Sequence, residues 1–321
     1  MSTVTFLTPV QEQIRLVEDL MRAQADDAHP DLRAALEHLL SSGGKRIRPT
    51  LGLLIGNMLG GDADTMITMA AAVELLHTAT LVHDDLIDGA LLRRGMPTLN
   101  SRWSSAATVL TGDFLFARAA KLAAETDYLP LMRLFAETLA VIVNGELTQL
   151  FSSRGLISRE DYYRCIYAKT ASLFEMSARA AAMVSPVDEA TVESMRVFGY
   201  QVGMAFQVVD DILDFTGEKA TVGKPVGSDL LQGLITLPTL YYIESHPDDP
   251  DVKTMAGKRY SDQESMNRLV QSIRGSEAIH QAFEEARQFV TEALQSLQDM
   301  PPGAERQALE ELAGYIVDRK A

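Results

Sequence analysis

Apolar residues recur at three- and four-residue steps over most of this chain. In the last third, Ile279, Ala282, Phe283, Ala286, Phe289, Val290, Ala293, Leu294 and Leu297 fall on one side of a helical wheel, with Glu284, Glu285, Arg287 and Gln288 on the other. That spacing predicts an amphipathic helix lying on a core. Met66 to Val82 is apolar on nearly every side, Glu74 and His77 being the main exceptions, and predicts a helix at the centre of a bundle. Asn144 to Phe151 and Val197 to Val209 read as buried in the same way. Breakers separate these stretches at Gly43-Gly44, Gly60-Gly61-Asp62, Gly95-Met96-Pro97, Ser185-Pro186, His246-Pro247 and Pro301-Pro302-Gly303. There is no convincing period-2 strand set flanked by hairpin turns, and no low-complexity linker marks a boundary. The expectation is an all-α fold, a bundle of long helices, in a single domain over residues 1–321.

Two acidic clusters interrupt the apolar pattern: Asp84-Asp85-Leu86-Ile87-Asp88 and Asp210-Asp211-Ile212-Leu213-Asp214. On a helix, Asp84 and Asp88 share one face, as do Asp210 and Asp214. Like charges at that spacing repel, and carboxylates set among apolar residues need a compensating partner. Hard oxygen donors suit Mg²⁺, which is bound by one or two carboxylates together with substrate phosphates. One such cluster alone is better explained as a solvated acidic face. A second copy on another helix, able to face the first across a cavity, points to a magnesium–diphosphate site.

Basic groups suited to phosphate accompany the clusters. Gly43-Gly44-Lys45-Arg46-Ile47-Arg48-Pro49 lies upstream and Arg93-Arg94-Gly95 follows the first cluster. Arginine presents a planar fork to phosphate oxygens and lysine a point charge. His77 lies two turns before Asp84, where a satisfied core histidine is the competing reading. Lys169-Thr170 sits in a helical segment, and Gln207 precedes Asp211 by one turn. Thr216 to Asp229 is irregular and carries Gly217, Gly223 and Gly227 with Lys219 and Lys224, as expected of a mobile lid whose lysine reaches a phosphate.

Composition narrows the function classes. A net charge of −15 argues against a general nucleic-acid binder, whose affinity rests on basic surface. Cys165 is the single cysteine, so no intrachain disulfide forms, in keeping with a reducing cytoplasm. The first residues, Met1 to Phe6, lack the pattern of a signal peptide, and no run of about 18 uninterrupted apolar residues predicts a membrane span. A cytoplasmic protein is expected.

The blocks GGKRIRP (43–49), HTATLVHDDLIDGALLRRGMPT (77–98), GDFLFARA (112–119), KT (169–170), FQVVDDILDFTG (206–217) and GKPVGSDL (223–230) stand in one order across most of the chain. In this the chain resembles the all-trans polyprenyl diphosphate synthases of the isoprenoid synthase family. The resemblance implies long helices around a central cavity, usually in a homodimer, and Mg²⁺-dependent condensation of isopentenyl diphosphate with an allylic diphosphate. It makes Asp84, Asp85, Asp88, Asp210, Asp211 and Asp214 the metal motifs, with Asp84, Asp88 and Asp210 as direct ligands. It gives Arg93, Lys169 and Lys224 to the allylic diphosphate, and Lys45, Arg48, His77 and Arg94 to isopentenyl diphosphate. Thr170 and Gln207 resemble the groups that steady the allylic cation.

Ala79 and Thr80, one turn before Asp84, stand where farnesyl-type relatives place bulky aromatics. Small residues there imply a product longer than fifteen carbons, of the medium- or long-chain type used for quinone tails, rather than the geranylgeranyl alternative. One departure is Leu234, where relatives usually carry a second lysine. It is the one feature favouring a non-catalytic subunit of a heteromeric synthase. A phosphohydrolase, suggested by His83-Asp84, would need further spaced histidines, and a terpene cyclase does not call for two acidic motifs with GGKRIRP.

Overall fold

The computed structural model describes residues 5–151, 157–217, 226–257 and 263–319. Helices form almost all of it, as the apolar periodicity predicts. They are α1 (Gln11–Ala23), α2 (Pro30–Ser41), α3 (Ile47–Met58), α4 (Ala63–Ile87), α5 (Ser105–Glu125), α6 (Leu129–Phe151), α7 (Arg159–Ile166), α8 (Ser172–Met183), α9 (Glu189–Thr216) and shorter helices toward the C-terminal Ala304–Asp318. Short polar side chains open several of them, each accepting a backbone N–H of the first turn. Asp62 caps α4 through Thr65 N at 3.0 Å, and Ser158 caps α7 through Asp161 N at 3.1 Å. Each breaker noted in the sequence falls between helices or in the short ribbon described below.

Cα packing divides the chain into two compact units. One comprises Met1–Leu139, Leu173–Gly199 and Asp299–Glu311; the other comprises Ala140–Ser172, Tyr200–Gln298 and Leu312–Ala321. In the first unit α4 is the central element and packs on α1, α3 and α5. Met66, Met69, Val73, Leu75 and Leu76 of α4 are buried, as are Val17 and Met21 of α1, Leu51 and Leu54 of α3, and Leu115 and Leu122 of α5. Each such side chain contributes about 1.5–3 kcal/mol on burial. By length and composition α4 could cross a membrane, yet 67% of its most apolar window is buried in the protein. It is a core helix.

In the second unit the helix Ala278–Ser296 lays Ala282, Ala286, Val290 and Ala293 inward and packs on Leu237–Ser245, as its amphipathic pattern predicts. The expectation for Asn144 to Phe151 does not hold. Val143, Leu147, Leu150 and Phe151 of α6 are 45%, 44%, 62% and 79% exposed, an apolar stripe on the outside of the fold. Periodicity identifies an apolar face but cannot say whether the same chain covers it.

One feature of the first unit is not helical. Leu92–Arg93 and Met96–Pro97 pair as a two-residue antiparallel ribbon, β1 and β2. The turn residues Arg94 and Gly95 have φ of 52° and 77°. Positive φ at both positions is the geometry that suits a two-residue hairpin, and glycine supplies it at no steric cost.

Gly199 of α9 lies against α8: a Cβ there would come within 2.7 Å of the Phe174 carbonyl oxygen and 2.9 Å of Glu175 Cα. These backbone atoms cannot yield as a side chain would. Gly199→Ala is therefore expected to destabilise the chain by about 1–3 kcal/mol, read as a lower urea midpoint at unchanged m-value.

Candidate active site

The first acidic cluster ends α4, with Asp88 as its C-cap and Asp88 N donating to Asp84 O at 2.8 Å. His77, Thr80, Asp84 and Asp88 therefore lie in line on one face, and all four are partly or fully exposed. Ala79 is off that line and fully buried, whereas Thr80 is on it. Asp85 points inward: it is 5% exposed and accepts from Arg93 Nε at 2.8 Å. The ribbon turn thus returns an arginine to neutralise the middle carboxylate. Arg93, assigned by resemblance to diphosphate, is anchored here, with 36% of its side chain exposed.

Glu74, the other charge in the apolar helix, is answered by Arg46, whose Nη1 lies 2.9 Å from Glu74 Oε1 and whose Nε lies 2.9 Å from Glu18 Oε1. Arg46 is thereby structural. Arg48, two residues on, lies over the Phe174 ring at 4.5 Å and sets Nη1 3.1 Å from His77 Nε2. Arginine can only donate, so His77 accepts at Nε2 and carries its proton on Nδ1. Burial, then the charges of Arg48, Arg94, Arg93 and Arg46, hold this imidazole well below its usual pKa. Lys45 and Arg94 are exposed. Arg94 Nη1 donates to the Gly43 carbonyl, and a Cβ on Gly44 would lie 2.8 Å from that nitrogen, so glycine at 44 admits the guanidinium. Lys45, Arg48, His77 and Arg94 remain a cationic group with one neutral imidazole.

His83 is engaged by α5: its Nε2 lies 3.1 Å from Val109 O, and its ring meets Phe116 in a tilted contact at 5.2 Å. The role of Gly112 in the block GDFLFARA follows: a Cβ there would fall 2.1 Å from His83 Nε2.

In the second unit the middle carboxylate is again internal. Asp211 is 4% exposed, accepting from Tyr162 OH at 2.7 Å and from Gln207 Nε2 at 2.8 Å. Gln207 Oε1 in turn accepts from Thr170 Oγ1 at 2.6 Å. Burial pushes the Asp211 carboxyl up to about 8, outweighing both donated hydrogen bonds. Asp210 is partly exposed and pairs with Arg319 Nη2 at 2.6 Å; the same guanidinium lies 4.0 Å over Phe206. Asp214 binds the start of the helix Ser228–Leu231, accepting from Ser228 Oγ at 2.7 Å and from the N–H of Asp229 at 3.1 Å. Lys169 Nζ lies 3.0 Å from Glu146 Oε1, within a π-helical turn Tyr167–Ala171. Single π turns widen a helix and often mark functional positions. Lys219 and Lys224 lie outside the described residues. Leu234 is 37% exposed.

Sequence reasoning missed Tyr162 and the Arg93–Asp85 pair. The one sequence signal for the pairs was the repeat itself, since a buried carboxylate demands a donor. Among the described residues no three carboxylate, imidazole or thiolate groups form a ready metal cage. That fits Mg²⁺ held by one or two outward carboxylates, such as Asp84 and Asp88, with phosphate and water completing the coordination.

Comparison with known proteins gives the family. Residues 29–273 match the model of the polyprenyl synthetase family, and the chain belongs to that family. It is similar to heptaprenyl diphosphate synthase component 2 of Geobacillus stearothermophilus, 38% identical with 94% of each chain covered. It is likewise similar to octaprenyl diphosphate synthase of Haemophilus influenzae, 34% identical, covering 88% of this chain and 86% of the other. The crystal structure of a polyprenyl synthase from Caulobacter crescentus, complexed with calcium and isoprenyl diphosphate, superposes with a TM-score of 0.92 at 36% identity, covering 99% and 98%. The chain is thus an enzyme of the prenyl-transferring class, with the fold of the polyprenyl synthases.

Asp211 gives a pH signature. Its carboxyl is raised from 3.8 to about 8 in the folded chain, so between those values the native state binds more protons than the unfolded state. This contribution is fully present below about pH 4 and is lost as pH rises through about 8, by up to ~1.4 kcal/mol per unit. In chelator, Asp211→Asn is expected to flatten the fall in urea stability from pH 5 to pH 8; an unchanged slope would refute the assignment.

Proposed function

We propose that this enzyme condenses isopentenyl diphosphate with an allylic diphosphate, with Mg²⁺, to give a product longer than fifteen carbons. The observation that carries the reading is the shared build of the acidic motifs: in each, the middle carboxylate is buried and hydrogen-bonded while the first is partly exposed. Outward carboxylates repel one another until a cation arrives. Calcium and isoprenyl diphosphate in the Caulobacter relative support a divalent metal. Magnesium, when bound, neutralises charge developing on the departing diphosphate.

The chain's own groups then act in order. Lys45, Arg48 and Arg94 bind the diphosphate of isopentenyl diphosphate, and neutral His77 offers a further Nδ1–H. Lys169 and Arg93, with Lys224, hold the allylic diphosphate while its C–O bond breaks, the bonding electrons leaving with the diphosphate. Thr170 and Gln207 face the remaining allylic cation, and the double bond of isopentenyl diphosphate attacks it. Loss of a proton, with the released diphosphate as the proposed acceptor, completes each five-carbon step. Apolar walls exclude water that would quench the cation.

Heptaprenyl and octaprenyl relatives support a medium- or long-chain product, with geranylgeranyl diphosphate as the shorter alternative. Thr80, on the Asp84 face, is the residue past which the product grows. The single cysteine supports action in the cytoplasm.

A second subunit also belongs to the reading. The α6 stripe of Val143, Leu147, Leu150 and Phe151 suits a protein partner, which we take to be a second copy of this chain. The name "component 2" of one relative, with Leu234 in place of lysine, favours the alternative of a heteromeric synthase.

The test is product sizing with purified chain, Mg²⁺, labelled isopentenyl diphosphate and an allylic primer. Extension past fifteen carbons is expected; none at all would favour the subunit reading. Thr80→Phe should shorten the product while primer consumption continues, whereas Ala79→Phe should chiefly destabilise the core. Leu147→Glu should convert a dimer to monomer in light scattering, and an unaltered dimer would place the interface elsewhere.

A further inference from the structure

The reading above gives Thr170 and Gln207 to the allylic cation but leaves open what orients them. Neither side chain is self-orienting. A threonine hydroxyl rotates, and a glutamine amide can present either its oxygen or its nitrogen.

The second unit resolves this with a chain of three hydrogen bonds. Tyr162 OH donates to Asp211 Oδ2 at 2.7 Å, Gln207 Nε2 donates to Asp211 Oδ1 at 2.8 Å, and Thr170 Oγ1 donates to Gln207 Oε1 at 2.6 Å. Tyr162 is 2% exposed, Asp211 4% and Thr170 8%, and Gln207 is partly exposed, so the Tyr162–Asp211 bond is the one fully shielded from water. The π turn Tyr167–Ala171 helps to assemble them. Eight residues along a regular α-helix, Thr170 would stand roughly 80° away from Tyr162; the extra residue of one π turn brings it back to about the same face. Gln207 and Asp211 stand one turn apart on α9 and meet Thr170 and Tyr162 in reverse order.

We infer that Tyr162 is a positioning residue for prenyl transfer: by occupying Asp211 Oδ2 it fixes the carboxylate so that Oδ1 takes the Gln207 amide, which turns Gln207 Oε1 toward Thr170. The donor sense of the whole chain follows when Asp211 is ionised, so the rate comparison below is made above about pH 8. Thr170 spends its proton on Gln207, so its oxygen lone pairs, the negative end of the group, are left for the allylic cation. Without Tyr162 the carboxylate can rotate, the amide can flip, and Thr170 can turn its hydrogen toward positive charge. This role rests on the prenyl-transfer reading.

The experiment compares wild type, Tyr162→Phe, Gln207→Leu and the double variant. It measures single-turnover rates of one five-carbon addition to a bound primer, and calorimetric binding of Mg²⁺ with inorganic pyrophosphate. Tyr162→Phe is expected to slow the addition about tenfold, the usual lower range for a positioned polar group, and to leave pyrophosphate affinity within twofold. The double variant should be no slower than Gln207→Leu alone, because Tyr162 acts through Gln207. A merely structural tyrosine would instead give losses that multiply, and that result overturns the inference. So does an unchanged rate, or a loss confined to pyrophosphate binding. If Tyr162→Phe yields too little folded protein, Tyr162→Phe/Asp211→Leu removes the buried carboxylate with its donor and supplies the same rate comparison. A wild type that extends no primer removes the prenyl-transfer reading and this role with it; an active wild type beside an unslowed Tyr162→Phe removes the role alone.

Discussion

A carboxyl group inside an apolar helix must find a hydrogen-bond partner, because burying it unpaired costs more than packing around it returns, most of all when it is ionised. This chain sets carboxylates of that kind in two of its helices, α4 and α9, and much of the surrounding structure follows from their needs. Arg46 leaves the segment between α2 and α3 in a left-handed backbone conformation, φ 46°, and reaches Glu74 and Glu18. Arg93 returns from a two-residue ribbon to Asp85, and Tyr162 reaches Asp211 from α7. In each case the donor comes from a different segment, so the pairing ties two parts of the backbone together, and where the donor is an arginine it also neutralises charge.

The same constraint separates the members of each acidic motif. The middle carboxylate is an internal anchor, and its partner side chain is thereby oriented. Those on the outward face are partly or fully exposed. A motif that reads as three equivalent aspartates is two kinds of group, distinguished by burial. His77 obeys a related logic: crowded by arginines, it stays neutral and holds a fixed tautomer against Arg48.

Cations are the counterpart. Arg319 rests on Asp210 and over Phe206, and Arg94 rests on the Gly43 carbonyl. Arg319 is nearly buried, with 6% of its side chain exposed, whereas Arg94 is exposed. They keep Asp210 and the Gly43 carbonyl partnered.

Helix positions and their breaks were legible in the sequence, because periodicity acts within a few residues. So was the chemistry of the acidic motifs, since spacing alone sets Asp84 beside Asp88 on a helix. Three things were not legible. Whether the apolar face of α6 is inside or outside depends on what covers it, and Asn144 to Phe151 therefore read as core. That Ala79, off the Asp84 face, is sealed in the core depends on the helices packed against it. The partners of Asp85, Asp211 and Glu74 lie 8, 49 and 28 residues away along the chain, and no local rule connects them. Hydrogen bonds are directional and short, so only folding in three dimensions determines which aspartate is an anchor and which is left to meet a ligand.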